Sequence, residues 1–194
     1  MGSSISTAHN KSQSTGDEKP PVLREDRLAL LYWPVFGDIS EVEVCEVAKD
    51  FTSERRPFEG HPMADEPATN YGLTEMIVRI DQLATDNVHS DGRGEDPELV
   101  IKRDDGGPVT IGDFVTQAHP FFNLHKETYM EIEDNMYGDR KLPEGVRVVY
   151  RECMRFDPSE LDNPDSQCDF MVDFELDHET VPGFGHHKQS KIRE

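Results

Sequence analysis

The stretch that decides the fold runs from Glu98 to Met136, ELVIKRDDGGPVTIGDFVTQAHPFFNLHKETYMEIEDNM. Glu98 to Lys102 reads as a strand, Arg103 to Pro108 (RDDGGP) supplies turn chemistry, and Val109 to Ile111 returns. Thr110 with Asp113 three residues on has the spacing of a capping box and starts a helix. Ile111, Phe114, Val115, Ala118 and Phe122 fall on one helical face, and Tyr129, Ile132 and Met136 continue it. Pro120 removes one backbone hydrogen bond, so the helix kinks there or restarts with Pro120 in its first turn. Gly138 marks a stop.

Strands lie on both sides of this unit. Leu73 to Leu83 (LTEMIVRIDQL) alternates Met76, Val78 and Ile80 on one face. Arg27 to Phe36 (RLALLYWPVF) is apolar on both faces and reads as a buried strand that Pro34 limits, with the only tryptophan, Trp33, near its end. Asp38 to Phe51 (DISEVEVCEVAKDF) carries two signals. Ser40 and Glu43 fit a capping box, with Val44, Val47, Ala48 and Phe51 at helical spacing. The Val-Glu-Val alternation instead favours a strand paired with the preceding one through Gly37-Asp38, and this reading is preferred. Val146 to Phe156 and Phe170 to Leu176 are two further strands. The sum is one α+β domain over roughly residues 25–180, a mostly antiparallel sheet of about five or six strands with one main, Pro-kinked helix.

Two polar segments interrupt the pattern. Thr52 to Tyr71 holds three prolines without periodicity, a long loop with room for a pocket beneath it; Ala84 to Pro97 is a second loop.

Composition narrows the function classes. The 194 residues include 40 Asp or Glu against 20 Lys or Arg, a formal charge of −20, and only 35% are hydrophobic. A phosphate backbone repels such a chain, so no nucleic-acid partner is expected. No run approaches the ~18 apolar residues of a spanning helix. Cys45, Cys153 and Cys168 are too scattered for a disulfide framework or a zinc knuckle, and no apolar leader opens the chain. An intracellular, cytoplasmic protein with reduced thiols follows, with Cys153 as a small core residue and no cofactor or metal.

The ends differ from the body. Residues 1–24 carry seven Ser or Thr and few large apolar side chains, too few to offset the entropy of ordering. Met-Gly-Ser-Ser-Ile-Ser fits N-myristoylation: Gly2 is the acyl acceptor and Ser6 the residue the transferase prefers, although the pattern also arises by chance. One acyl chain binds membranes marginally, Lys11, Lys19 and Arg24 add little charge, and the acidic body is repelled by anionic lipid. Residues 181–194 form a flexible tail in which His186-His187 read as solvated rather than as metal ligands.

Candidate chemistry is sparse. His119 and His125 are the groups suited to acid–base work, with Glu127 or Tyr129 as helpers. Six residues advance a helix by about 600°, leaving the two imidazoles roughly 120° apart unless the proline kink joins them. His119, just before Pro120, has the commoner role of a cap or buried polar residue. From Asp157 to Glu179 there are nine acidic residues and no Lys or Arg, without the spacing of a calcium loop. That stretch suits docking to a basic protein surface. The expectation is a non-enzymatic adaptor, peripheral on membranes through Gly2. The alternative is a small-molecule protein or small enzyme with a pocket under residues 52–71, using His119 or His125.

Overall fold

The computed structural model of the chain describes residues 23–50, 52–84, 97–137, 145–155 and 169–177. Residues 1–22 of the expected N-terminal tail with Gly2 and Ser6, the C-terminal tail with His186-His187, Gly138, most of the 84–97 loop and the 157–168 acidic run lie outside them. Leu23 and Arg24 belong to the fold and not to a tail, since Leu23 is buried and bridges Thr69 and Arg24 N–H donates to the Ala68 carbonyl at 2.9 Å. The described elements are helix α1 (Glu25–Leu28), β1 (Leu31–Tyr32), β2 (Glu43–Cys45), β3 (Arg55–Pro57), β4 (Glu75–Ile80), β5 (Glu98–Lys102), α2 (Ile111–Leu124), α3 (Lys126–Tyr137), β6 (Val148–Arg155) and β7 (Asp169–Leu176). The fold is α+β, as the sequence indicates, with seven described strands rather than five or six.

Four strands form a sheet in the order β5-β4-β7-β6, and three form another in the order β1-β2-β3. The pairings are antiparallel except β4 with β7, which run parallel. β7 lies between β4 and β6, which is why FMVDFEL is apolar enough to be buried on both faces: Phe170, Val172, Phe174 and Leu176 enter the main core, and Met171 is buried opposite them. The two sheets meet where residues 33–35 run along β6. Tyr150 N–H donates to the Trp33 carbonyl at 2.9 Å and Val35 N–H to the Val148 carbonyl at 3.0 Å.

Several local readings are corrected. Residues 27–36 are not one strand: α1 occupies the start, and only Leu31–Tyr32 pair with β2. No tight Gly37-Asp38 hairpin joins them. A 3-10 turn at Ile39–Glu41 intervenes, capped by Asp38 with Glu41 rather than by Ser40 with Glu43. Val109 does not return along β5. Its N–H donates to the Leu73 carbonyl at 2.7 Å and its carbonyl accepts from Ala68 N–H at 2.9 Å, so among the described residues β5 pairs with β4 alone. The 52–71 segment contains β3 and a 3-10 turn (Pro62–Asp65), and buries Phe58, Met63, Ala68 and Thr69.

The single Pro-kinked helix is in fact two helices, and the break is not at proline. Pro120 stays inside α2 on its exposed face, where the carbonyl it leaves without a partner can meet water. α2 ends at His125 (φ −100°, ψ 8°), whose N–H bonds the Phe122 carbonyl in a tightened last turn. The break lets both helices reach one strand residue: Phe122 lies 4.9 Å and Tyr129 5.4 Å from the Phe174 ring. The capping box at Thr110 and Asp113 forms as the sequence indicates.

Candidate functional site

His119 sits in the wall of the core, 7% exposed. Helix periodicity puts it beside Ala118 and Phe122 on the face that meets residues 33–37. The Trp33 indole N–H, which can only donate, lies 3.0 Å from His119 Nδ1. Nδ1 therefore carries no proton, and Nε2–H donates to the Gly37 carbonyl at 3.1 Å. The imidazole is neutral and held at both nitrogens. Burial pushes its pKa down, against smaller upward pulls from the Gly37 carbonyl, Asp38 and Glu41. The ring also stacks on Trp33 at 6.2 Å, and Trp33 on Tyr150 at 5.8 Å. Asn123, one turn on, donates to the Val35 carbonyl at 3.1 Å and ties the helix to the same segment.

His125 occupies a different place. It is half-buried at the α2–α3 junction, edge-on to Phe121 at 4.8 Å, and burial alone lowers its pKa. Tyr129 is fully buried against Phe36 and Phe174, whereas Glu127 is exposed. Among the described residues no hydrogen bond or ring contact joins His119 to His125, so the kink does not bring the imidazoles together. Cys153 is buried and its thiol pKa lies well above the ordinary value because of desolvation, as an inert core cysteine requires.

A cleft of about 670 Å³ opens at the other end of α2. Ala64 and Asp65 of the 52–71 segment border it, with Lys102, Arg103, Thr110 and Asp113 among the facing groups. Arg103 grips Asp105 with two hydrogen bonds, 2.9 and 2.7 Å, and this guanidinium, helped by Gly107 N–H, holds the Asp105 pKa down at about 2. Thr110 and Asp113 satisfy each other across the cap: Asp113 Oδ2 accepts from Thr110 N–H and hydroxyl at 2.9 and 2.8 Å. Gly112 allows the 3-10 turn to sit against the helix, since a Cβ there would lie 2.9 Å from the Ala64 carbonyl oxygen. The cleft is polar rather than apolar, and neither histidine lines it. Among the described residues no group of three or more His, Cys, Asp or Glu is placed to hold a metal ion.

The acidic run is partly internal. Asp173 on β7 accepts from Gln82 Nε2 and, at 3.0 Å, from Arg151, while Asp177 accepts from the Tyr32 hydroxyl at 2.9 Å. Both carboxylates are buried, so neither belongs to a docking surface. Exposed acid stands elsewhere, at Glu127 and Glu131 one turn apart on α3.

No family model, curated protein or solved structure matches this chain. Its chemistry therefore rests on its own residues. Sequence spacing could not have found the Trp33–His119 bond, which joins residues 86 positions apart, nor the Gln82–Asp173 contact across 91. Among the described residues no helix is long and apolar enough to cross a membrane.

Proposed function

We propose that the protein is a non-enzymatic adaptor that docks a basic partner through exposed carboxylates, chiefly Glu127 and Glu131 of α3, and is held loosely at membranes by an acylated Gly2. One observation carries the docking reading: several arginines of the body are already paired with its own carboxylates, whereas among the described residues Glu127 and Glu131 stand exposed without an ion pair. Arg27 pairs with Glu66 at 2.9 Å, Arg79 with Glu98 at 2.8 Å, Arg103 with Asp105 at 2.7 Å and Arg151 with Asp173 at 3.0 Å. Glu127 and Glu131 repel each other across one turn, and an approaching cation relieves that repulsion. Leu124, 77% exposed just before this helix, adds an apolar contact for the same partner.

An arginine-rich peptide binding the full chain at moderate salt is the probe. Replacing Glu127→Gln and Glu131→Gln should weaken binding by about 0.4–2 kcal/mol, two exposed pairs at about 0.2–1 kcal/mol each. Replacing Glu59→Gln and Glu75→Gln removes the same charge elsewhere and should cost less. Equal losses from both double variants would mean diffuse attraction to net charge and would end the α3 assignment. For the anchor, the mass of the N-terminal peptide from native cells and the membrane fractionation of Gly2→Ala decide. A fractionation unchanged by Gly2→Ala removes the membrane part and leaves the docking part standing.

A further inference from the structure

We propose that β5 is a dimerisation edge, which pairs antiparallel with β5 of a second copy of this chain about a two-fold axis at Val100. The four-stranded sheets of the two copies then join as one.

The two ends of the joined sheet system are built differently. At one end β3 is three residues long, includes Pro57, which has no N–H to offer, and carries exposed Arg56. Those are ordinary devices for keeping an edge unpaired. At the other end β5 (ELVIK) has no proline, and its middle side chain Val100 is 40% exposed.

Backbone alternation shows which groups the edge presents. The Gln117 side chain reaches from α2 to Lys102, donating to its carbonyl at 3.1 Å and accepting from its N–H at 3.4 Å. Those two groups therefore point away from β4. A strand repeats every two residues, so the N–H and carbonyl of Val100 and Glu98 point to the same outer side. Among the described residues nothing bonds them. Gln117 covers one end of the edge, and among the described residues nothing covers the rest.

The side chains along that edge complement themselves. Register across β4 sets Arg79 opposite Glu98, Ile77 opposite Val100 and Glu75 opposite Lys102. A second β5, antiparallel and centred on Val100, brings Lys102 of each copy opposite Glu98 of the other. Each outer row then reads Arg79, Glu98, Lys102, Glu75 across four strands, alternating in sign. The middle row reads Ile77, Val100, Val100, Ile77 and covers the exposed valines. Opposite charges and β-branched pairs facing each other across strands are the contacts that stabilise antiparallel pairing. A two-fold axis demands this self-complementarity. Pairing also supplies partners to the outer groups of Val100 and Glu98, with Gln117 giving way at Lys102.

Analytical ultracentrifugation of the full chain, near about 0.15 M salt so that the −20 charges of the two copies are screened, tests this. The expected species has twice the 22.1 kDa chain mass. Glu98→Lys alone and Lys102→Glu alone each set like charges face to face at both outer rows, and each should dissociate the dimer at least about tenfold more readily. Mixing the two variants restores opposite charges at every row, so a heterodimer should form where neither variant alone pairs well. Val100→Pro removes only an outward N–H and should give a folded monomer, checked by circular dichroism. A wild-type chain that stays monomeric up to about 1 mM overturns the proposal, since this exceeds any working affinity scale. So does a folded Val100→Pro dimer, or single variants that pair as well alone as mixed. The mixing arm holds even if Val100→Pro does not fold.

Discussion

Helix α2 makes polar contacts at both ends, and they serve different purposes. At Thr110, hydrogen bonds run among residues close in sequence and open to water: Thr110 with Asp113, and Arg103 with Asp105. At His119 they run to Trp33 and Gly37, more than eighty positions away, inside the aromatic core. Distances are alike, near 3 Å, so geometry does not separate the two ends. Burial does. A wet hydrogen bond exchanges with water at little net gain, whereas an orphaned buried donor loses its full solvation. The inner end therefore fixes how the 33–37 segment lies on the helix, and the outer end trims the helix start.

That contrast can be broken at three points. The largest effect belongs to His119→Ala, which orphans the buried Trp33 N–H and costs about 1–3 kcal/mol before any cavity penalty, read from urea denaturation. Its pH signature has a definite sign. The folded-state pKa of His119 lies below its unfolded value of 6.5, so acid charges the unfolded chain first. The stabilising contribution is complete above about pH 6.5 and declines as pH falls from there toward the folded-state pKa. Wild type should show that decline and His119→Ala a smaller one, the remainder belonging to His125, whose pKa burial also lowers; identical profiles would mean the His119 imidazole is not held neutral.

A smaller loss is expected from Thr110→Ala, about 1 kcal/mol for one cap, with no pH signature near neutrality. The least effect on stability belongs to Arg103→Ala. It should raise the Asp105 pKa from about 2 toward its ordinary 3.8, followed by NMR titration of the carboxyl carbon, while the melting curve hardly moves. A large loss of stability there would show that the outer cluster carries more of the fold than its exposure implies.

The outer end of α2 was legible in the sequence because each part is local. Thr110 and Asp113 announce the cap, and the spacing from Ile111 to Phe122 announces the buried face. Strands β4, β6 and β7 were legible for a similar reason, since alternation or a dense apolar run survives whatever the neighbours are. Pro120 misled, because its cost depends on which side of the helix it faces, and here it faces solvent. The 109–111 segment misled because a turn followed by β-formers states that a partner exists without saying which; Ala68 and Leu73 took the place expected for β5. In the described part of the acidic run the charge count misled at two positions: it treats every carboxylate as exposed, yet Asp173 on β7 and Asp177 just beyond it are buried.

Composition and local pattern thus determined on their own that the chain is α+β, strongly acidic, and starts its longest described helix at Thr110. Only the tertiary structure decided that β7 runs parallel to β4, that the helix breaks at His125, and that β5 ends its sheet among the described residues. Caps, turns and amphipathic faces arise from interactions a few residues long, which the sequence carries explicitly. Strand order, the burial of Asp173 and the locking of His119 depend on which distant segments meet, and that is set by the packing of the whole core.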